Sequence, residues 1–257
     1  MSVRPITLVV GALVLGLAAC GISDAAPMTT TTSSSVTSSA ATPSTPTPTA
    51  STTTSPFAGT KLLKPGDSGR TVTALQQRLN DMGYWNGTPD GTYGELTQQA
   101  VMALQKVAGL DRDGIAGAAT LKAVQTDHVP PLVGGPAERI EIDLERQILV
   151  IVKGGEIYRI LNTSTGSNAV YTSQGAQKVA VTPKGTFAVY KEFDGSHVGP
   201  LGALWRPKYF NGGIAVHGAP YIPGYAASHG CARLSNAAMD MIWREDLMPH
   251  GETVIVH

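Results

Sequence analysis

Between residues 62 and 124 apolar side chains recur at three- and four-residue steps. Val72, Leu75, Leu79 and Met82 form one stripe and Ala100, Val101, Leu104 and Val107 a second, so the spacing predicts two amphipathic helices. Asp67-Ser68-Gly69 marks the start of the first, and Gly83 and Gly109 mark the two ends. A small repeat follows. Asp90-Gly91-Thr92-Tyr93-Gly94 leads to Thr97, and Asp113-Gly114-Ile115-Ala116-Gly117 leads to a shorter helix near Thr120. Glycine turns the chain in each copy, and threonine is expected to cap or open the helix. Beyond residue 136 the period changes. Residues 139–144 alternate, 147–152 are β-branched, and 156–161 alternate again, with Gly154-Gly155 as a two-residue hairpin turn. Further strands are expected over 186–192, 213–217 and 253–256, and a helix over Asn236–Arg244 with Ser235 or Asn236 as its cap.

The remaining stretches divide the chain. Arg4 precedes an apolar run over 6–19 that is too short to span a bilayer comfortably, which reads as the core of a signal peptide. The run ends in Leu17-Ala18-Ala19-Cys20-Gly21, which resembles the lipobox of bacterial lipoproteins. That resemblance implies cleavage before Cys20 and a lipid on its sulfur, hence a membrane anchor. An ordinary secretory signal with a chance cysteine is the alternative, and either one exports the protein. Residues 27–56 are almost entirely Thr, Ser, Pro and Ala, a composition unable to bury enough surface to offset its ordering entropy. As a solvated chain such a linker reaches ~30 Å. Val129-Pro130-Pro131 and Gly134-Gly135-Pro136 read as a short stiff hinge. The expected layout is therefore multidomain: signal peptide 1–20, linker 21–57, a small all-α domain 58–127, the hinge 128–137, and a mainly-β, sandwich-like domain 138–257.

Charge narrows the function by exclusion. Nineteen basic residues balance nineteen acidic ones among 257, so nothing marks a nucleic-acid footprint. The two cysteines are Cys20 and Cys231, in surroundings too different for a pair. If Cys20 carries lipid, Cys231 is a lone thiol in an oxidising compartment, either buried as a small hydrophobe or kept for use. A cysteine nucleophile requires a thiolate, usually obtained from an imidazole within hydrogen-bond reach. His229 lies two residues before Cys231, and His217 ends the 213–217 strand; a hairpin-like return across 219–227 would set His217 against Cys231. A zinc site of His217, His229 and Cys231 is the rival chemistry, although no carboxylate stands at a recognisable spacing to serve as its base.

Two resemblances sharpen this reading. The helical repeat, with Leu75-Gln76-Gln77-Arg78-Leu79 and Gly83-Tyr84, resembles the small three-helix peptidoglycan-binding module of wall-active enzymes. It implies that glycan or stem peptide lies in a groove between helices; Tyr84, Trp85 and Tyr93 either line that groove or belong to the core. Phe210-Asn211-Gly212-Gly213-Ile214-Ala215-Val216-His217-Gly218 and Ser228-His229-Gly230-Cys231-Ala232-Arg233-Leu234, followed by Asn236, resemble the L,D-transpeptidase (YkuD-type) catalytic domain. Ser164-Thr165-Gly166 and Thr182-Pro183-Lys184-Gly185-Thr186-Phe187 match further signatures of that family in the right order. By this resemblance Cys231 attacks the meso-diaminopimelate to D-alanine bond of a tetrapeptide stem, releases D-alanine and holds a thioester until a neighbouring stem amine forms a 3→3 cross-link.

His217 is then the general base, and the amides of Gly230 and Cys231 receive the oxyanion while Ser228 and His229 shape the loop. Arg233 either binds a stem carboxylate or braces the loop. Gly218, Asn236, Trp205 and Tyr209, with Arg206, are candidates for the cleft wall; Gly218 stands where some relatives carry serine, behind a shortened 218–227 loop. His197, without a motif, is expected on the surface, and His128, His250 and His257 have no assigned role. No cofactor is implied; the implied partners are peptidoglycan stems and glycan, and the membrane through Cys20.

Overall fold

The computed structural model describes residues 55–257. The expected signal peptide, Cys20 and nearly all of the 21–57 linker lie outside the described residues. The helical part runs β1 (Leu62–Leu63), α1 (Arg70–Asp81), α2 (Glu95–Val107), β2 (Ala116–Gly117) and α3 (Ala118–Gln125), with β1 and β2 paired. Val72, Leu75 and Leu79 of α1 and Ala100, Val101 and Leu104 of α2 are buried, as their spacing predicts. The repeat is explained by a feature the spacing did not reveal. Gln76 Nε2 donates to Asp90 Oδ1, Thr92 O and Thr97 Oγ1, and Gln105 Nε2 donates in the same way to Asp113 Oδ1, Ile115 O and Thr120 Oγ1. Each glutamine therefore pins one glycine turn onto the helix after it. Thr97 and Thr120 are buried partners in these networks rather than caps; the N-cap positions are Gly94 and Gly117. Tyr84 and Tyr93 are core, their hydroxyls donating to His128 O at 2.6 Å and Gly114 O at 2.9 Å, so neither lines a groove.

The β part comprises β3 (Arg139–Asp143), β4 (Ile148–Lys153), β5 (Glu156–Asn162), β6 (Val170–Ser173), β7 (Ala176–Val179), β8 (Gly185–Ala188), β9 (Lys191–Glu192), β10 (Ser196–Gly199), β11 (Gly202–Asn211), β12 (Ile214–Ala219), β13 (Ala232–Ser235), α4 (Asn236–Arg244) and β14 (Thr253–Val256). One sheet has the order β5-β4-β3-β14-β8; the other has β10-β11-β12-β13, with β9 also on β11. Helix α4 begins as its sequence predicts, with Ser235 Oγ accepting from Ala238 N. The strand expected over 186–192 is instead two. β8 pairs with β14 in the first sheet and β9 with β11 in the second, with buried Val189 between them, so the chain changes sheets there.

β4 explains how the two halves join. Its run Ile148-Leu149-Val150-Ile151-Val152 is apolar at every position because both faces are covered. Leu149 and Ile151 pack with α4 and the second sheet; Ile148, Val150 and Val152 pack into the helical core. The chain after α1 also extends the sheet edge, Ile160 N donating to Gly83 O at 2.7 Å and Trp85 N to Ile160 O at 3.3 Å. Lys106 of α2 crosses into the β part, where its buried Nζ donates to Gln147 O at 2.8 Å, Thr163 O at 2.9 Å and Asn162 Oδ1. Residues 128–137 are therefore not a hinge between independent bodies: the halves share one core, and Arg139, in a buried pair with Glu141, donates to Pro136 O at 2.7 Å and holds the connection down.

Candidate active site

β12 and β13 run parallel, with Val216 opposite Ala232 and His217 opposite Arg233. The return from His217 to Cys231 is thus a crossover, not the hairpin expected. It sets Cys231, just before β13, beside the start of β12, where Ala215 N lies 3.5 Å from its sulfur. Ala215 and His217 are two residues apart on one strand and so present their side chains to one face. His217 is buried, and its Nδ1 lies 2.8 Å from Gly218 O. A carbonyl only accepts, so Nδ1 carries the proton and Nε2 is left as a proton acceptor.

Three separated motifs lock the nucleophile loop. Ser228 Oγ donates to Cys231 O at 2.5 Å and accepts from Gly230 N at 3.0 Å. Thr182 Oγ1 donates to Gly230 O at 2.6 Å and accepts from Gly166 N at 2.9 Å. Ser164 Oγ donates to Tyr225 O at 2.8 Å and accepts from Ala227 N at 3.1 Å, and its backbone exchanges both hydrogen bonds with Arg233. Gly230 sits at φ +138, where a Cβ would lie 2.9 Å from Val181 O, so only glycine closes the loop. Because Ser228 takes the Gly230 N–H, that amide is not the oxyanion donor the resemblance implied. The Cys231 N–H has no partner within the loop.

Burial dominates the electrostatics. It pushes the His217 imidazolium down to about 4, with Arg233 adding to the fall and Gly218 O opposing it. It pushes the Cys231 thiol up, against the pull of Ala215 N–H and Arg233. At neutral pH the resting pair is therefore a neutral imidazole and a neutral thiol, and among the described residues no hydrogen bond joins them.

Cys231 opens onto a cavity of about 520 Å³. Tyr209 lines it, as does exposed His229, whose ring meets Tyr171 edge-on at 4.5 Å. The other wall candidates face elsewhere. Gly218 is buried in β12; a Cβ there would meet Asn236 Oδ1 at 2.6 Å and Trp205 Cδ1 at 2.9 Å, which leaves no room for serine. Trp205 donates its indole N–H to Asp240 at 2.8 Å, and Arg206 pairs with Asp194 and Asp240. Arg233 Nη1 reaches Ala227 O at 3.4 Å, the bracing alternative. His197, expected on the surface, lines the cavity instead, stacked on Phe193 at 4.0 Å with Nδ1 2.7 Å from the Tyr209 hydroxyl. The hairpins that carry Tyr171 and His197 have no apolar alternation, so nothing in their pattern marked them. The zinc alternative needs His217, His229 and Cys231 to converge; His229 turns to Tyr171, and among the described residues no group of three ligating side chains is arranged to hold a metal.

Comparison with known proteins bears on the family of each half. Residues 68–124 match a family described as a putative peptidoglycan binding domain, and 137–256 match the L,D-transpeptidase catalytic domain. The crystal structure of an L,D-transpeptidase from Xylanimonas cellulosilytica is 47% identical, covers 77% of this chain and 98% of that one, and superposes with a TM-score of 0.74. The chain belongs to the L,D-transpeptidase family. Shorter matches join this chain to the N-acetylmuramoyl-L-alanine amidases CwlL of Bacillus licheniformis, 49% identical over 75 residues, and CwlM of Mycobacterium tuberculosis, 43% over 56. The first covers 28% of this chain and 20% of the amidase, the second 22% and 14%, so the chain spans a fifth or less of either curated relative it matches.

Proposed function

We propose that the protein is a cysteine acyltransferase that forms 3→3 cross-links in peptidoglycan. The observation that carries this reading is Cys231 at the edge of an open cavity, one strand from a buried His217 whose Nδ1 is committed to Gly218 O. His217 Nε2 takes the thiol proton as the sulfur attacks the carbonyl of the meso-diaminopimelate to D-alanine bond. The oxyanion is received by the Cys231 N–H. Collapse of the adduct breaks the C–N bond, the imidazolium returns its proton to the leaving D-alanine amine, and a thioester remains. A side-chain amine of a neighbouring stem then attacks the thioester, passes a proton back through His217 and regenerates the thiol. The helical module supports peptidoglycan as the partner, and the Cys20 motif supports export with a lipid anchor at the outer face of the cytoplasmic membrane. His229 and Ser228 act on the shape of the nucleophile loop.

The test is incubation of purified wall with the protein, followed by digestion and analysis of the muropeptides. Dimers linked 3→3 are expected with wild type and absent with Cys231→Ala, while His217→Gln lowers their rate by about 10²–10⁴-fold, the usual contribution of a general base. Tripeptides without dimers would make the acceptor water and the enzyme an L,D-carboxypeptidase. Wall left unchanged would reduce the protein to a peptidoglycan-binding lipoprotein and end the reading.

A further inference from the structure

Residues 157–191 contain no Asp or Glu, yet they hold Arg159, Lys178, Lys184 and Lys191. Two of these, Lys178 on β7 and Lys191 on β9, line the cavity of Cys231 together with His197 and His229, and no carboxylate side chain lines it. In a chain whose formal charges cancel, this is a local excess of positive charge at the mouth of the site.

The nearest acids along the chain are already engaged. Glu192 pairs with Lys208 at 2.7 Å and Asp194 with Arg206 at 2.7 Å, whereas neither Lys178 nor Lys191 forms an ion pair among the described residues. Lys191 lies instead over the rings of Phe193 and Tyr209, 5.0 and 5.4 Å from their centroids, and Tyr209 is also its partner across β9 and β11. Those rings steady the ammonium without using its three donors. Lys178 comes from the β6–β7 hairpin, opposite Tyr171, the residue that meets His229.

We propose that Lys178 and Lys191 form a carboxylate-binding subsite that holds the free carboxylate of a peptide while a neighbouring carbonyl of that peptide meets Cys231. The proposal rests on the acyl-transfer reading above and adds the chemistry by which the substrate is selected. A stem peptide carries carboxylates beside the bond to be broken. A carboxamide has nearly the same shape and no charge, so the subsite separates the two by electrostatics rather than by fit. Lysines act as point charges and not as a planar fork, so the pair tolerates more than one carboxylate orientation.

The experiment is calorimetric titration of the full chain carrying Cys231→Ala, which binds without turnover. The ligands are a tetrapeptide stem with free carboxylates and the same peptide amidated. The free acid is expected to bind about tenfold more tightly than the amide, as a charge-assisted contact should, and the gap is expected to shrink in high salt. Lys178→Met with Lys191→Met, added to the same chain, should abolish the gap. In the Cys231 background the same double variant should keep the wild-type rate of alkylation by neutral iodoacetamide, which reports an intact site. Equal binding of the two peptides, or a gap that survives the double variant, overturns the subsite even if 3→3 dimers form. A carboxylate preference in a protein that makes no Cys231-dependent product would leave the subsite standing and sink the reaction.

Discussion

His217 and Cys231 are both driven by burial toward their uncharged forms, which sets the pH behaviour of the site. A protonated His217 cannot accept the thiol proton, so activity is lost only as pH falls through the folded-state value of about 4, well below the 6.5 of a free imidazole. Measured as kcat/KM, the rate should be flat from neutrality to about pH 5 and fall below it; an acid limb near the ordinary histidine value would show that burial does not depress the His217 imidazolium in the working enzyme. The same shift affects stability. The unfolded chain binds a proton that folded His217 refuses between about 4 and 6.5, so this residue's contribution is lost as pH drops through that window. Residue types offered Cys231 with two candidate partners, His217 and His229, and the resemblance to a known family favoured His217. The hydrogen bond from Nδ1 to a main-chain carbonyl was not legible, because it depends on the rotamer His217 adopts on a buried inner strand.

At the scale of elements, Lys106 ties a helix of the binding module to the segment that braces the nucleophile loop. Its ammonium serves Gln147, Asn162 and Thr163, and the next residue, Ser164, is hydrogen-bonded to the strand that follows Cys231. Burial, with Arg112 nearby, lowers the Lys106 pKa, while three acceptor oxygens, which take all three protons of Nζ, favour the ammonium. Replacing it by methionine keeps the volume and leaves the buried oxygens without a donor, a loss of about 2–4 kcal/mol in urea unfolding. A change under 1 kcal/mol would mean that water replaces the ammonium at roughly the cost of an ordinary hydrogen bond. Nothing around Lys106 marks it in the sequence, where it reads as the polar end of an amphipathic helix. Strands with one covered face announced themselves by alternation; β7, exposed at all of its positions, had no such signal, and pairing with β6 alone defines it.

At the scale of the whole molecule, the helical module covers Ile148, Val150, Val152 and Ile160 of the catalytic sheet. Residues 137–257 produced without the helices should therefore expose an apolar face, bind a hydrophobic dye and melt well below 55–257. A soluble, cooperatively folding 137–257 fragment would show that the shared core is dispensable. Helix stripes, glycine turns, the β-rich second half and a nucleophile motif are properties of neighbours along the chain, and local spacing determines them. The sequence by itself therefore settled the class of each half and singled out Cys231 as a candidate nucleophile. The merging of the halves, the crossover that sets the strand of His217 alongside the one that follows Cys231, the loss of Trp205, Gly218 and Asn236 from the cavity wall and the arrival of His197, Lys178 and Lys191 there were decided by tertiary structure, because each depends on contacts between residues far apart in the chain.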